Sequence, residues 1–406
     1  MTVVVQTFRS AVISMAKLSI KDLDLKGQRV FIRVDFNVPL KNGTIGDDTR
    51  IKSSLPTIQY ALEQGATVVL ASHLGRPKGK VNPEMSLKPV ADRLAQLLGK
   101  PVAFATDCVG DEARDVHGDV VLLENLRFHP EEEKNDAVFA KALASLATRY
   151  VNDAFGAAHR AHASVEAITH FIERPAAGLL MERELQYLGH ALEKPERPFV
   201  AILGGAKVSD KIDVIQNMLG KVERLIIGGA MAYTFFKSRG VPIGRSLVED
   251  DKIGEAKAIE AEAKRRGVTL LLPTDHVVTG KIDGSAGSEV LVVGDAAIGD
   301  RMGVDIGPAS IAAYTAAIAD ARTVVWNGPM GVFEVEAFAA GTNAVAHAVA
   351  AVKGTTIIGG GDSIAAVKKA GIADSITHIS TGGGASLEFL GGQTLPGVAA
   401  LADKAG

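Results

Sequence analysis

PFVAILGGAKVSDKIDVIQNML, residues 198–219, sets an unbroken apolar run, a glycine pair, two lysines and an amphipathic segment in immediate succession. An apolar run of this length without alternation marks a strand buried on both faces. The three-and-four spacing that follows predicts a helix over KVSDKIDVIQNML, residues 207–219. A strand that turns directly into a helix leaves backbone N–H groups at the helix start facing whatever lies above the sheet, and an anion such as phosphate suits them.

The same order recurs along the chain. In the second half, RLII is followed by Gly228 and Gly229, TVVW by Asn327 and a Gly-Pro turn, TTII by Gly359 to Gly361, and HIST by Gly382 to Gly384. In the first half the strand ends carry different residue types. Asp35 and Asn37 follow RVFIRV, His73 and Arg76 follow TVVLAS, Arg127 follows VVLLENL, and Arg160 follows RYVNDAFGAAH. Open parallel sheets bind ligands outside the carboxyl ends of their strands. The first half therefore reads as a set of anion receptors and the second as a phosphate cradle, a division that points to a kinase.

Helical patterns separate the strands: MSLKPVADRLAQLL, AVFAKALASLAT, IGEAKAIEAEAKRR, PASIAAYTAAIADA and TNAVAHAVAAV. Strand and helix in alternation give doubly wound sheets. At 406 residues the chain exceeds the roughly 250 to 300 at which one core stops growing. The expected fold is α/β, with two doubly wound parallel-sheet (Rossmann-like) domains joined by a hinge helix. MERELQYLGHALEKPER, residues 181–197, is helical and then breaks at Pro195 and Pro198, so the boundary is placed there. That gives an N-terminal domain over 18–190 and a C-terminal domain over 191–390. Residues 391–406 offer little core and are expected to pack back on the N-terminal domain. Residues 1–17 are set apart as an extension, with Met15 a candidate start; they lack the small-residue cleavage pattern of a secretory signal.

A formal charge of −3 supplies no broad basic field for nucleic acid or an acidic membrane, so the arginines must form a local pocket. The single cysteine, Cys108, excludes an internal disulfide, fits a reducing cytosol and reads as packing. No run approaches the roughly 20 apolar residues that span a bilayer. A cytoplasmic protein is expected, with small-molecule partners. Neither a GxxxxGK[ST] loop nor a GxGxxG after a strand is present, which excludes the P-loop and the dinucleotide fingerprint.

Several site residues carry two readings. Lys207 and Lys211, four apart, would share a helix face and reach phosphate oxygens, or would be solvated beside an ordinary glycine turn. Asp362 opens the segment after Gly359 to Gly361 and is both a natural helix cap and a natural Mg²⁺ ligand beside a triphosphate. Glu334 could accept from ribose hydroxyls or stand in solvent. Trp326 reads as core rather than as a stacking platform. His129, His162 and His170 read as structural, His159 as structural or supporting, and Glu131 to Glu133 as a solvated helix start.

Taken together, RVDFNVP, SHLGRPKG, LLENLRFHPEEEKND, VNDAFGAAHRAH, GGAKVSDKI, WNGPMGVFE, GGGDS and STGGGASLE resemble the phosphoglycerate kinase family in order and separation, from about Leu18 to the carboxyl end. The resemblance implies reversible transfer of the acyl phosphate of 1,3-bisphosphoglycerate to MgADP, giving ATP and 3-phosphoglycerate, by domain closure. It implies that Asp35, Phe36, Asn37, His73, Leu74, Gly75, Arg76, Arg127 and Arg160 hold the glycerate. Arg50, Lys207 and Gly383 would act on the transferring group. Gly205, Lys211, Gly228, Gly229, Gly303, Asn327, Glu334, Gly360, Gly361, Asp362 and Ser363 would surround ATP or ADP, with Asp362 toward Mg²⁺. The family also implies a monomer. Ser363 stands where the family usually has Thr, and Ala157 and Ala163 replace commoner Thr and Ser, so no charged site residue is lost. Two rivals remain at this point: a binding protein that keeps the pocket without catalysis, and a two-domain dehydrogenase.

Overall fold

The computed structural model describes residues 17–404, so the expectation for the N-terminal extension lies almost wholly outside the described residues. The chain divides into two compact units. One holds the residues up to Arg183 together with Thr394 onward, and the other spans Glu184–Gln393.

The first unit is built on six parallel strands: β1 (Arg29–Arg33), β2 (Thr67–Ala71), β3 (Ala103–Ala105), β4 (Val120–Leu123), β5 (Arg149–Asn152) and β6 (Ala176–Ala177). Their order is β3-β4-β2-β1-β5-β6. Val30, Ile32, Val68, Leu70, Val120 and Leu122 point into a core covered by Ile51 and Ile58 of helix Thr49–Glu63 and by Val90 and Leu94 of helix Lys88–Leu98. The chain leaves β1 toward β2 and returns to the other side through β5, so the crevice of this sheet opens between the ends of β1 and β5. The carboxyl-terminal segment runs against this unit: Gly397 N donates to Ala158 O at 2.8 Å and Leu18 N to Ala402 O at 2.8 Å.

The second unit repeats the plan with β7 (Phe199–Leu203), β8 (Arg224–Ile227), β9 (Thr269–Leu271), β13 (Thr323–Asn327), β14 (Thr355–Gly359) and β15 (His378–Ile379). The order is β9-β8-β7-β13-β14-β15, all parallel, and its switch point lies between β7 and β13. Trp326 is fully buried in this core, as expected, and its indole N–H donates to Gly328 O at 2.7 Å.

Three further strands, β10 (Asp275–Thr279), β11 (Glu289–Val292) and β12 (Met302–Ile306), form an antiparallel sheet in the order β11-β10-β12. This sheet lies outside the expected pair of doubly wound sheets, and its strand β11 faces solvent along most of its length. Val290 and Val292 are 49% and 67% exposed.

The helix expected from Lys207 begins later. Residues 204–208 are irregular, Ser209–Lys211 is a 3₁₀ turn, and the α-helix is Ile212–Met218. The Glu249 carboxylate takes the Ser209 N–H at 3.0 Å and its hydroxyl at 2.5 Å, which holds this stretch out of the helix. Lys207 and Lys211 therefore do not share a helix face. Among the described residues no helix is long and apolar enough to cross a membrane.

Candidate functional site

In the first unit the strand ends converge on a cluster of cations. Arg33, the last residue of β1, is fully buried. Its Nε donates to Ser164 Oγ at 2.7 Å, an Nη lies 3.2 Å from His73 Nδ1, and Glu132 Oε1 is 4.0 Å away. A guanidinium can only donate, so His73 Nδ1 accepts and its Nε2 carries the proton. Burial first, then the neighbouring guanidinium groups of Arg33, Arg127 and Arg50, keep His73 well below the usual imidazole range. His162 is pushed down to about 3 by burial, then by Arg127, Arg33 and Arg160.

Arg127 lies behind the loop after β2. An Nη donates to Gly75 O at 2.9 Å, while Nε, 3.5 Å from Glu133, is buried without a hydrogen bond to the described residues. Burial lowers its proton affinity, and Arg33 and Arg160 lower it further. Asn37 Oδ1 accepts from Gly75 N at 3.0 Å, and Arg50 at the start of its helix pairs with Asp35. Arg33, Arg127 and Arg50 thus all bear on His73, while Arg160 bears on Arg127 and His162. Phe36 and Leu74 are buried supports. Arg76 is exposed and makes no side-chain hydrogen bond or ion pair with the described residues.

Two members were missed. Arg33 hides inside an apolar run, where periodicity marks a strand but not which residue carries charge. Glu132 corrects the reading of Glu131 to Glu133 as a solvated helix start. It is fully buried, accepting from Ser164 N at 2.9 Å and Ser164 Oγ at 2.6 Å. The buried guanidinium next to it explains why a carboxylate is held inside.

In the second unit the loops after β7, β8 and β13 press together. A Cβ on Gly204 would lie 2.1 Å from Pro329 O, and one on Gly229, at φ +69°, would lie 2.5 Å from Gly205 N, so only glycine lets these backbones meet. Lys211, buried, donates to Asn327 Oδ1 at 2.8 Å, and burial lowers its proton affinity. Asn327 Nδ2 is buried with no partner among the described residues. Gly328 N donates to Ser363 Oγ at 2.6 Å, tying the β13 loop to helix Gly361–Lys369. Gly360, not Asp362, caps that helix, with φ +90°, and Asp362 stands exposed in its first turn without a capping bond. Gly383 caps helix Gly384–Leu390, and its loop is held where Thr381 N donates to the buried Glu184 carboxylate at 2.8 Å.

A cavity of about 240 Å³ opens beside these loops. Gly205, Gly229, Gly303, Glu334 and Asp362 line it, as do Tyr233, His276 and Asp305, which sequence reasoning did not single out. Asp305 is pushed up to about 7 by burial, against the N–H bonds it accepts from Gly341 and Ile306. Lys207 is exposed on the loop after β7.

Comparison with known proteins agrees over nearly the whole chain. The family model described as phosphoglycerate kinase matches residues 20–393. The phosphoglycerate kinase of Koribacter versatilis is 60% identical over 403 residues, covering 96% of this chain and 100% of that protein. That of Acidobacterium capsulatum is 61% identical over 404 residues, with the same coverage. Among solved structures, phosphoglycerate kinase from Coxiella burnetii superposes with a TM-score of 0.87 at 43% identity, covering 95% of this chain and 98% of that one. The enzyme from Pyrococcus horikoshii gives 0.80 at 34% identity with the same coverage.

Proposed function

The chain belongs to the phosphoglycerate kinase family, phosphotransferases that reversibly move the acyl phosphate of 1,3-bisphosphoglycerate to ADP in glycolysis, and we propose that each compact unit carries one reactant. The observation that supports this division is the contrast between the two sites. The first unit gathers guanidinium groups around an imidazole kept neutral, which suits a small molecule with a carboxylate and a phosphate. The second has a glycine-walled cavity beside a buried lysine, which suits a nucleotide.

On this reading Asp35, Asn37, His73, Arg76, Arg127 and Arg160 hold the glycerate, with His73 donating through Nε2. Gly205, Gly228, Gly229, Gly303, Asn327, Glu334, Gly360, Gly361 and Ser363 surround the nucleotide, and Lys211 meets its phosphates. Arg50 and Lys207, with the amide of Gly383, act on the migrating phosphoryl group. Phosphoryl transfer asks the protein for positioning and for cancellation of charge on the equatorial oxygens, and cations and main-chain amides supply both. An acyl phosphate is already a reactive donor, so no catalytic base is required.

Asp362 is an exposed carboxylate on the rim of the cavity. Mg²⁺ is usually held by one or two carboxylates plus phosphates, so the donor set fits that ion and Asp362 would hold it. When bound, Mg²⁺ neutralises charge on the phosphate oxygens. Closure at a hinge near Leu188 to Pro198 would exclude water and bring Arg50 and Lys207 to one phosphoryl group. A cytoplasmic monomer fits this reading.

The test is a coupled assay of ATP formation from 1,3-bisphosphoglycerate and ADP, with and without Mg²⁺. Turnover that needs both substrates and the ion supports the proposal. Its absence in folded protein overturns it and returns the chain to the class of non-catalytic binders.

A further inference from the structure

We propose that His276 reads the nucleobase, donating its Nε2 proton to a ring-nitrogen acceptor of a purine, and that Tyr233 is the positioning residue that fixes this proton. The inference rests on the nucleotide assignment of the second-unit cavity and adds to it the group that recognises the base.

The argument follows the protons. Gly303 N donates to Ser246 Oγ at 2.9 Å, so the serine oxygen is an acceptor there and its own proton is free to go elsewhere. Ser246 lies beside Tyr233. Tyr233 has one proton to give, and an unprotonated imidazole nitrogen is a stronger acceptor for it than a serine oxygen already engaged by an N–H. Its partner is His276 Nδ1, 2.8 Å from the tyrosine oxygen, with the two rings stacked at 25°. His276 Nδ1 is therefore an acceptor and the imidazole proton sits on Nε2. Burial keeps this histidine on the neutral side, so it carries that proton alone.

His276 Nε2 is buried and has no hydrogen-bond partner among the described residues, while the side chain is 2% exposed and lines the cavity. An unpaired buried donor costs free energy unless a ligand satisfies it. The tyrosine in turn is seated by a glycine: a Cβ on Gly303 would lie 1.5 Å from its hydroxyl. Glycine seats the tyrosine and the tyrosine holds the histidine, which leaves Nε2 as a donor of fixed direction. The other walls include glycine backbone at Gly205 and Gly229 and the apolar residues Val304, Ile306, Met330 and Val332, which suits a flat ring. Adenine offers unprotonated ring nitrogens around its edge, and one of them is the acceptor proposed.

The test uses the full-length protein. Direct titration with ADP and with its 1-deaza, 3-deaza and 7-deaza analogues comes first, followed by steady-state kinetics of His276→Phe and Tyr233→Phe. One deaza analogue should bind wild type about tenfold more weakly than ADP, the loss of one ordinary hydrogen bond. His276→Phe should show a similar rise in the KM for ADP rather than a fall in kcat, and should no longer distinguish that analogue from ADP. Tyr233→Phe should fall between the two. If ADP binds wild type and every analogue binds equally well, the assignment to His276 is overturned while the nucleotide site stands. If ADP does not bind wild type, the site assignment itself falls. Should His276→Phe fail to fold, the analogue series on wild type decides alone.

Discussion

Lys211 Nζ lies 2.8 Å from Asn327 Oδ1, both side chains buried, and the bond joins the segment that follows β7 to the last residue of β13 at the switch point of the second sheet. Asn327→Leu leaves the ammonium without its acceptor and should destabilise the second unit by about 1 to 3 kcal/mol, the cost of an orphaned buried group. Adding Lys211→Met removes both partners, so the double variant should recover much of that stability while ADP affinity stays low. Denaturant titration and ADP titration of the single and double variants check both parts.

Arg50 opens helix Thr49–Glu63 and pairs with Asp35. A preorganised donor to developing charge is worth about 10² to 10³ in rate. Arg50→Ala should lose turnover by that factor and keep its Kd for ADP within about twofold of wild type, because the nucleotide is assigned to the other unit. Steady-state kinetics beside ADP titration read this, and undiminished turnover removes Arg50 from its role.

Acid should weaken the first unit through its histidines. His162 is held at about 3 when folded, against an ordinary value of 6.5. The folded state therefore binds fewer protons than the unfolded chain between these values. The stability from His162 is full above pH 6.5 and is lost as pH falls toward 3, amounting to about 2 kcal/mol at pH 5. His73 acts in the same direction. The buried carboxyls of Asp153 and Asp305, pushed up to about 7, act oppositely: their contribution is full below pH 3.8 and is lost as pH rises to about 7. Subtracting the pH profile of His162→Gln from that of wild type isolates the imidazole, and urea midpoints between pH 4.5 and 8 should show a difference that shrinks on acidification.

Glu132 offers a stability test at a position whose burial the sequence hid. Glu132→Leu leaves Arg33 buried without a carboxylate and should cost about 3 to 5 kcal/mol, the range for breaking one side of a buried ion pair. A change of a few tenths would show that Ser164 alone suffices for the guanidinium.

Legibility followed chain locality. Glycine and arginine stand directly after unbroken apolar runs, so the two sheets and the residue types at their strand ends could be read from neighbours in sequence. Arg33 and Ser164 are 131 positions apart, and Tyr233 and His276 are 43 apart. Such pairs leave no local signal, since only the folded sheet brings them together. The antiparallel strand β11 escapes for another reason: a strand that faces solvent along most of its length leaves no run buried on both faces. Spacing alone places Lys207 on a helix, while the distant Glu249 carboxylate holds Ser209 in a 3₁₀ turn.

A crystal structure with 3-phosphoglycerate and MgADP bound together tests the division of reactants most directly. The glycerate should lie against Arg127, Arg160 and His73 of the first unit, and the nucleotide in the cavity of the second between Gly229 and Glu334. Both molecules in one unit, or a glycerate away from the guanidinium groups, would contradict it.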